Sequence, residues 1–331
     1  MNGTTALVTG GTGFIGSRVV KVLSRHGFLV RAGIHRQMQN DSVADLPGVQ
    51  TIPLDILDRN SLMRGLEGVD VVYHFAALVD ARKSREDLYR TNVEGTRNVW
   101  SCAAACDVKR ALYCSSAAVY GLLAKSPKPI SEEVQARAVE PYGNSKLLGE
   151  LAAFEIAARS GPPTVVIRPV AVFGPGEHTP FGKQLRDAAV SKLLLAGGFQ
   201  KKRFSFVHAE DVAEAAVHLM HSAVSNGQIF NVAVDEPILF EDALQAYIRV
   251  LARAGLPTAR TKRLASVSAM IHKMPGVSHW LSRVGGSRFV FTLWHPGFDL
   301  TYSSSKLLGT SFRFKWGTFE DVLLSCIDGK A

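Results

Sequence analysis

The chain has 331 residues, 47% hydrophobic and 20% charged, a balance that fits a globular enzyme and excludes a disordered chain. Lys and Arg number 38 against 29 Asp and Glu, giving a net charge of +9. That charge is compatible with nucleic acid, an anionic membrane or an anionic small molecule, and does not separate them. Cys102, Cys106, Cys114 and Cys326 form no C-x-x-C pair and stand at no zinc spacing with histidine. Buried thiols in a reducing compartment are expected, and no metal centre. No basic, apolar leader precedes the first strand, and no uncharged apolar run reaches the length of a membrane span, so a cytoplasmic enzyme is expected.

Ala6-Leu7-Val8 predicts a buried strand within Thr5–Thr9, running into a glycine cluster. Phe14 to His26 then predicts a helix, with Ile15, Val19, Val20 and Leu23 at helical spacing and Gly27 ending it. Strands are expected at 28–32, 49–54, 69–75, 110–114 and 164–168. Helices are expected from Glu86 to Ala105 and from Tyr142 to Arg159. Apolar strands alternating with helices predict an α/β fold, a doubly wound parallel sheet covered on both faces. Residues 1–169 are expected to form the dinucleotide-binding unit. Residues 170–331 are expected to form mainly a smaller substrate lobe, with returns to the main sheet near Phe204–Val207 and Ile229–Val232.

Thr9-Gly10-Gly11-Thr12-Gly13-Phe14-Ile15-Gly16 lies between a predicted strand and a predicted helix. Gly10 and Gly13 permit a tight turn and close approach to a pyrophosphate. Gly16 lets helix and strand pack closely, and the free N–H groups at the helix start favour the anion. An NAD site usually places a carboxylate about 20 residues past this loop, for the ribose 2′-hydroxyl. Here the second strand ends in Arg31-Ala32-Gly33-Ile34-His35-Arg36, with no carboxylate before Asp41. Arg36 suits a 2′-phosphate, with Arg31 or His35 assisting, so NADP(H) is favoured over NAD(H). Asp55 and Ile56, just past the third strand, are placed to meet the adenine, although Asp55 serves equally as a turn residue.

Tyr142-Gly143-Asn144-Ser145-Lys146 puts a phenol and an ammonium on one helix face. The ammonium and an oxidised nicotinamide would both lower the phenol pKa toward the range of a general base. Ser116 lies just past the fifth strand, at the carboxyl edge where such sheets bind ligands, and can hold a substrate oxygen.

These segments, with His74-Phe75-Ala76-Ala77, Asn92-Val93-Glu94-Gly95-Thr96, Ser115–Gly121, Arg168-Pro169, Phe173–Gly176, Phe206–Val212 and Asn231 to Pro237, resemble the extended short-chain dehydrogenase/reductase family in order over most of the chain. The resemblance implies Ser116 as donor to the substrate oxygen, Tyr142 as acid/base and Lys146 as holder of the nicotinamide ribose. It further implies that Ala76 and Ala77 line the cofactor, Asn92 supports the site and Pro169 borders the nicotinamide. It implies a homodimer through the helices bearing Tyr142 and preceding the fifth strand.

Within that family, dehydratases resemble one another in an Asp-Glu pair after the catalytic Ser or Thr, where this chain has Ala117-Ala118. Epimerases typically carry an Arg-Asp pair before the Phe-Val run. Here Phe204-Ser205 stands there, with Arg203 one place off. The pattern more resembles the 3β-hydroxysteroid dehydrogenase and ketoreductase branch, whose substrates are flat or lipid-like ketones and alcohols. A nucleotide-sugar epimerase with tightly held NAD is the alternative, and a regulator without chemistry the third. The expected partner is a small-molecule substrate, not nucleic acid. From Ala243 to Phe298 there is no Asp or Glu, while basic residues interleave with Trp280, Phe289, Phe291 and Trp294. This suits weak peripheral contact with an anionic membrane. A substrate-lobe helix packed on the core, with its basic residues in solvent, is the preferred reading.

Overall fold

A computed structural model describes residues 3–35, 43–79, 83–121, 129–177, 179–190, 194–195, 202–256, 258, 291–292 and 299–328. Strands β1 (Thr5–Thr9), β2 (Leu29–Ile34), β3 (Val49–Pro53), β4 (Val71–His74), β5 (Arg110–Cys114) and β6 (Thr164–Pro169) alternate with helices. The helices are α1 (Gly16–Arg25), α2 (Arg59–Leu66), α3 (Arg85–Tyr89), α4 (Gly95–Ala105) and α5 (Pro141–Arg159). With Ile229–Val232, these strands form one seven-stranded sheet in the order Ile229–Val232, β6, β5, β4, β1, β2, β3, every pairing parallel. The order reverses beside β1 and β4, so the carboxyl ends of β1, β4 and β5 open onto a shared crevice.

Each face of the sheet is covered. Val19, Val20 and Leu23 of α1 are fully buried, and this helix packs against the helix Ala209–His221. On the other face α2, α4 and α5 lie side by side over Leu7, Val72, Trp100 and Tyr113. Trp100 is completely buried and donates its indole N–H to Thr164 Oγ1 at 2.8 Å, which satisfies its one polar group. Asp58 caps α2, accepting from Asn60 N at 2.9 Å.

The helix expected over 86–105 runs without a break from Arg85 to Ala105, α3 passing into α4 through a π-helical turn at Arg90–Glu94. Thr96 donates its hydroxyl to the Asn92 carbonyl at 2.7 Å within that region, a side-chain bond that hydrophobic spacing does not reveal. One boundary departs from the sequence expectation. Phe204–Val207 does not return to the main sheet. Arg203–Phe204 pairs antiparallel with Ile238–Leu239, and Phe206–His208 pairs with Ala171–Phe173 in a separate two-stranded sheet. Ser205 separates them, 2% exposed, its backbone N–H donated to Leu300 O at 2.8 Å.

The second core gathers Phe173, Phe204, Phe206, Phe240 and Phe319; the Phe319 ring meets those of Phe173, Phe204 and Phe206 edge to face. The acid-free stretch 243–298 falls mostly outside the described residues. Its first part belongs to the helix Phe240–Arg253, which packs on this core. There Arg249 and Arg253 both pair with Glu320, at 2.9 Å each. Among the described residues, no helix is long and apolar enough to cross a membrane.

Candidate active site

The glycine turn follows β1 and meets the loop after β4. Gly10 has φ +68°, and a Cβ there would stand 2.8 Å from Ala76 N. A Cβ on Gly16 would stand 2.1 Å from Gly10 O. Both positions therefore require glycine. Gly13 N donates to Gly10 O at 2.9 Å and closes the turn. Ile15 occupies the cap position of α1, so Phe14 and Ile15 precede the helix rather than opening it. Ala76 and Ala77 follow at the carboxyl end of β4, half-buried.

At the adenine end the residues divide. Arg36 lies outside the described residues. Arg31 does not face the 2′ position: its guanidinium donates to Gly65 O at 3.0 Å and Glu67 O at 2.6 Å. The carbonyls at the end of α2 need donors, and Arg31 supplies them. His35 Nε2 stands 3.7 Å from Asp55 Oδ2, both side chains exposed. Asp55 Oδ1 accepts from Leu57 N at 2.9 Å, a turn bond that leaves the other oxygen toward His35. The Ile56 side chain is 7% exposed and packs over Gly95, forming floor rather than lip.

Ser116, Tyr142 and Lys146 converge. Ser116 starts a 3₁₀ turn after β5, its hydroxyl accepting from Ala118 N at 3.1 Å and standing near enough to the Tyr142 phenol to oppose a rise in its pKa. Burial raises the Tyr142 pKa above its ordinary value and the neighbouring Cys114 adds to the rise, while the Ser116 hydroxyl opposes it. The lowering expected from Lys146 together with an oxidised nicotinamide concerns the loaded enzyme; in the protein alone burial dominates. A phenol in a poorly hydrated pocket is held as the neutral acid, because desolvation of the anion outweighs the available stabilisation. Lys146 is 2% exposed, with its ammonium 4.3 Å from the centroid of the Tyr113 ring. Burial lowers its pKa to about 8, against the opposing pull of Cys114 and Glu150, so it remains mainly charged at neutral pH. Burial pushes the Cys114 thiol up to about 11, which keeps it neutral beside them.

Asn92 supports this arrangement from the π-helical turn. Its amide accepts from Leu78 N at 2.8 Å and donates to Leu78 O and Ser145 Oγ, at 2.9 Å each. Ser145 donates in turn to Tyr142 O at 2.8 Å. Pro169 is buried at the end of β6 and lines a cavity of about 200 Å³ beside Ser116. Ala118, Phe181, Phe204, Leu300 and Tyr302 supply most of its remaining wall.

Glu150 carries no role in the sequence-based expectation, yet it lies one turn past Lys146 and is 2% exposed. It accepts two bonds from Arg168, at 2.9 and 2.6 Å. Its spacing of four from Lys146 was the available signal. Ser115 was also passed over. Its hydroxyl is buried and has no hydrogen-bond partner among the described residues. An orphaned hydroxyl at the carboxyl end of β5, a turn that only glycine fits and a buried ammonium together suit a bound dinucleotide.

Residues 6–233 match the model of the NAD dependent epimerase/dehydratase family. The Sinorhizobium fredii protein y4nG is 32% identical over 277 residues, covering 79% of this chain and 66% of its own length. Sterol demethylase protein B of Methylococcus capsulatus is 33% identical over 229 residues, 66% of this chain and 67% of that one. The chain thus spans about two thirds of the length of these curated relatives. A UDP-N-acetylglucosamine 4-epimerase from Methanobrevibacter ruminantium superposes with a TM-score of 0.77 at 20% identity, over 99% of this chain and 98% of that one, and shares the fold. The chain belongs to the NAD dependent epimerase/dehydratase family, of the extended short-chain dehydrogenase/reductase type.

Proposed function

We propose that the protein is an NADP(H)-dependent reductase or dehydrogenase acting on an uncharged, ring-bearing ketone or its alcohol. The observation that carries this is the cavity beside Ser116. Its described lining contains no charged side chain, and aromatic and aliphatic groups dominate it. A nucleotide sugar needs cations for its diphosphate. Three of the described arginines are committed elsewhere. Arg168 is locked to Glu150, Arg186 to Glu177 at 3.2 Å, and Arg203 to Pro237 O at 2.9 Å. An apolar slot with a few polar groups at one end suits a flat ring whose carbonyl points at Ser116.

The nicotinamide, when bound, supplies or accepts the hydride. Ser116 Oγ–H holds the carbonyl oxygen. Tyr142 Oη–H, kept neutral by burial, gives its proton to that oxygen as it gains charge. The Lys146 ammonium stabilises the phenolate left behind, and its pKa of about 8 keeps it charged under neutral conditions. Arg36 supports the preference for NADP(H) through its place after β2.

The test incubates purified protein with NADPH and a panel of uncharged cyclic and aromatic ketones, following absorbance at 340 nm, with UDP-sugar epimerisation measured in parallel. Turnover of ring ketones supports the proposal. Epimerisation of a UDP-sugar by protein that releases NAD on denaturation overturns it.

A further inference from the structure

His74 ends β4 and is 1% exposed, with its ring between Trp100 and Tyr113 at centroid distances of 5.7 Å each. Its two nitrogens meet different halves of the site. Nδ1 is 2.6 Å from Thr9 Oγ1, at the start of the glycine turn. Nε2 is 3.1 Å from Thr96 Oγ1, beside the π-helical turn that carries Asn92.

The surrounding bonds fix which nitrogen holds the proton. Thr96 already donates its only hydroxyl hydrogen to Asn92 O at 2.7 Å, so toward the imidazole it can only accept. Nε2 therefore carries the hydrogen. Nδ1 is left to accept from Thr9 Oγ1–H, which in turn accepts from Ala76 N at 3.1 Å. Burial, with the Lys146 ammonium nearby, lowers the ring pKa to about 3, so this neutral tautomer is the form present across the physiological range.

We propose that His74 is a positioning residue that joins the two halves of the active site. Its Nδ1 orients Thr9 and through it Ala76, against which Gly10 packs. Its Nε2–H anchors Thr96 and the π-helical turn, and through them Asn92. From Asn92 the bonds run to Leu78 on one side and to Ser145 and Tyr142 on the other. One ring thus sets the spacing between the dinucleotide loop and the start of the catalytic helix. The loop half of this proposal rests on the assignment of that loop to the cofactor.

Side-chain geometry separates the two halves. In His74→Asn the amide oxygen takes the place of Nδ1 and can accept from Thr9, while the donor to Thr96 is lost. In His74→Gln the amide nitrogen takes the place of Nε2 and can donate to Thr96, while the acceptor for Thr9 is lost. His74→Phe keeps the ring among Trp100 and Tyr113 and loses both bonds. The two backbone amides to follow by NMR hydrogen exchange are Ala76, which reports Thr9, and Leu78, which reports Asn92. NADP(H) and NAD(H) affinities are measured by titration calorimetry on the same proteins.

His74→Asn should speed Leu78 exchange by about tenfold while leaving Ala76 and cofactor affinity near wild type. His74→Gln should do the reverse, speeding Ala76 and weakening the cofactor by about tenfold. His74→Phe should do both. Equal effects on both amides in all three variants, or a His74→Phe protein indistinguishable from wild type, overturn the proposal and leave a ring that only fills space. A wild type that binds neither dinucleotide overturns the cofactor assignment instead, and is read independently of the two amides.

Discussion

Replacing Glu150 with Ala should destabilise the protein and also shift its chemistry, because one carboxylate serves two cations. Its two oxygens hold the Arg168 guanidinium at 2.6 and 2.9 Å, with side-chain exposures of 2% and 4%. Burial draws the Arg168 pKa down, but Glu150 outweighs it and holds the pKa above the ordinary value. The guanidinium also stands 4.8 Å over the Tyr120 ring, whose hydroxyl donates to Asn231 at 2.8 Å. Removing the carboxylate leaves that charge buried and unpaired, a loss of about 3–5 kcal/mol. For a chain of this size the melting temperature should fall on the order of 10 °C. Glu150 also raises the Lys146 pKa, which burial holds at about 8. The variant should therefore lose the Lys146 ammonium at lower pH, so the alkaline limb of turnover moves toward neutrality. Calorimetric melting and a pH–rate profile are the assays. The double variant Glu150→Leu with Arg168→Met removes both charges and should recover most of the stability but none of the alkaline limb. A Glu150→Ala protein within about 1 kcal/mol of wild type, or a double variant at least as unstable as Glu150→Ala, would refute the reasoning.

Gly16→Ala should weaken dinucleotide binding at least about tenfold, since its Cβ would stand 2.1 Å from the Gly10 carbonyl and force the turn open; titration calorimetry reads this directly. Arg36→Ala should cost affinity for NADP(H) and leave NAD(H) nearly unchanged, as a 2′-phosphate contact requires. Tighter NAD(H) binding by the wild type would end that assignment. Co-sedimentation with anionic vesicles should be weak and salt-sensitive if the acid-free stretch touches a membrane. Recovery in the supernatant at low salt leaves the packed-lobe reading.

The parts of the site that lie close in sequence were legible there. Gly10, Gly13 and Gly16 announce a turn because only glycine fits where Ala76 and Gly10 O come so near. Tyr142 and Lys146 announce a shared face through their spacing. Less legible were the features that depend on distant neighbours. Arg31 looked free for a phosphate until the end of α2 was seen to need donors. The helix over 86–105 was legible, but its apolar spacing is insensitive to the π-helical turn inside it at Arg90–Glu94. Phe204–Val207 read as one strand, yet Ser205 divides it between two small sheets. His74 stood in plain sight before Phe75-Ala76-Ala77, but its partners Thr9 and Thr96 are 65 and 22 residues away. No local pattern shows such a bond. The rise that burial imposes on the Tyr142 pKa was illegible for a related reason. Spacing shows the ammonium, whereas desolvation is a property of the assembled pocket.

The most direct test of the proposed chemistry is single-turnover reduction of a ring ketone by NADPH-loaded enzyme, comparing wild type with Tyr142→Phe. The substitution removes the proton donor and little contact area. The rate should fall by about 10²–10⁴-fold, with NADPH affinity close to wild type. A Tyr142→Phe enzyme that reduces the ketone at a near-normal rate would contradict the account.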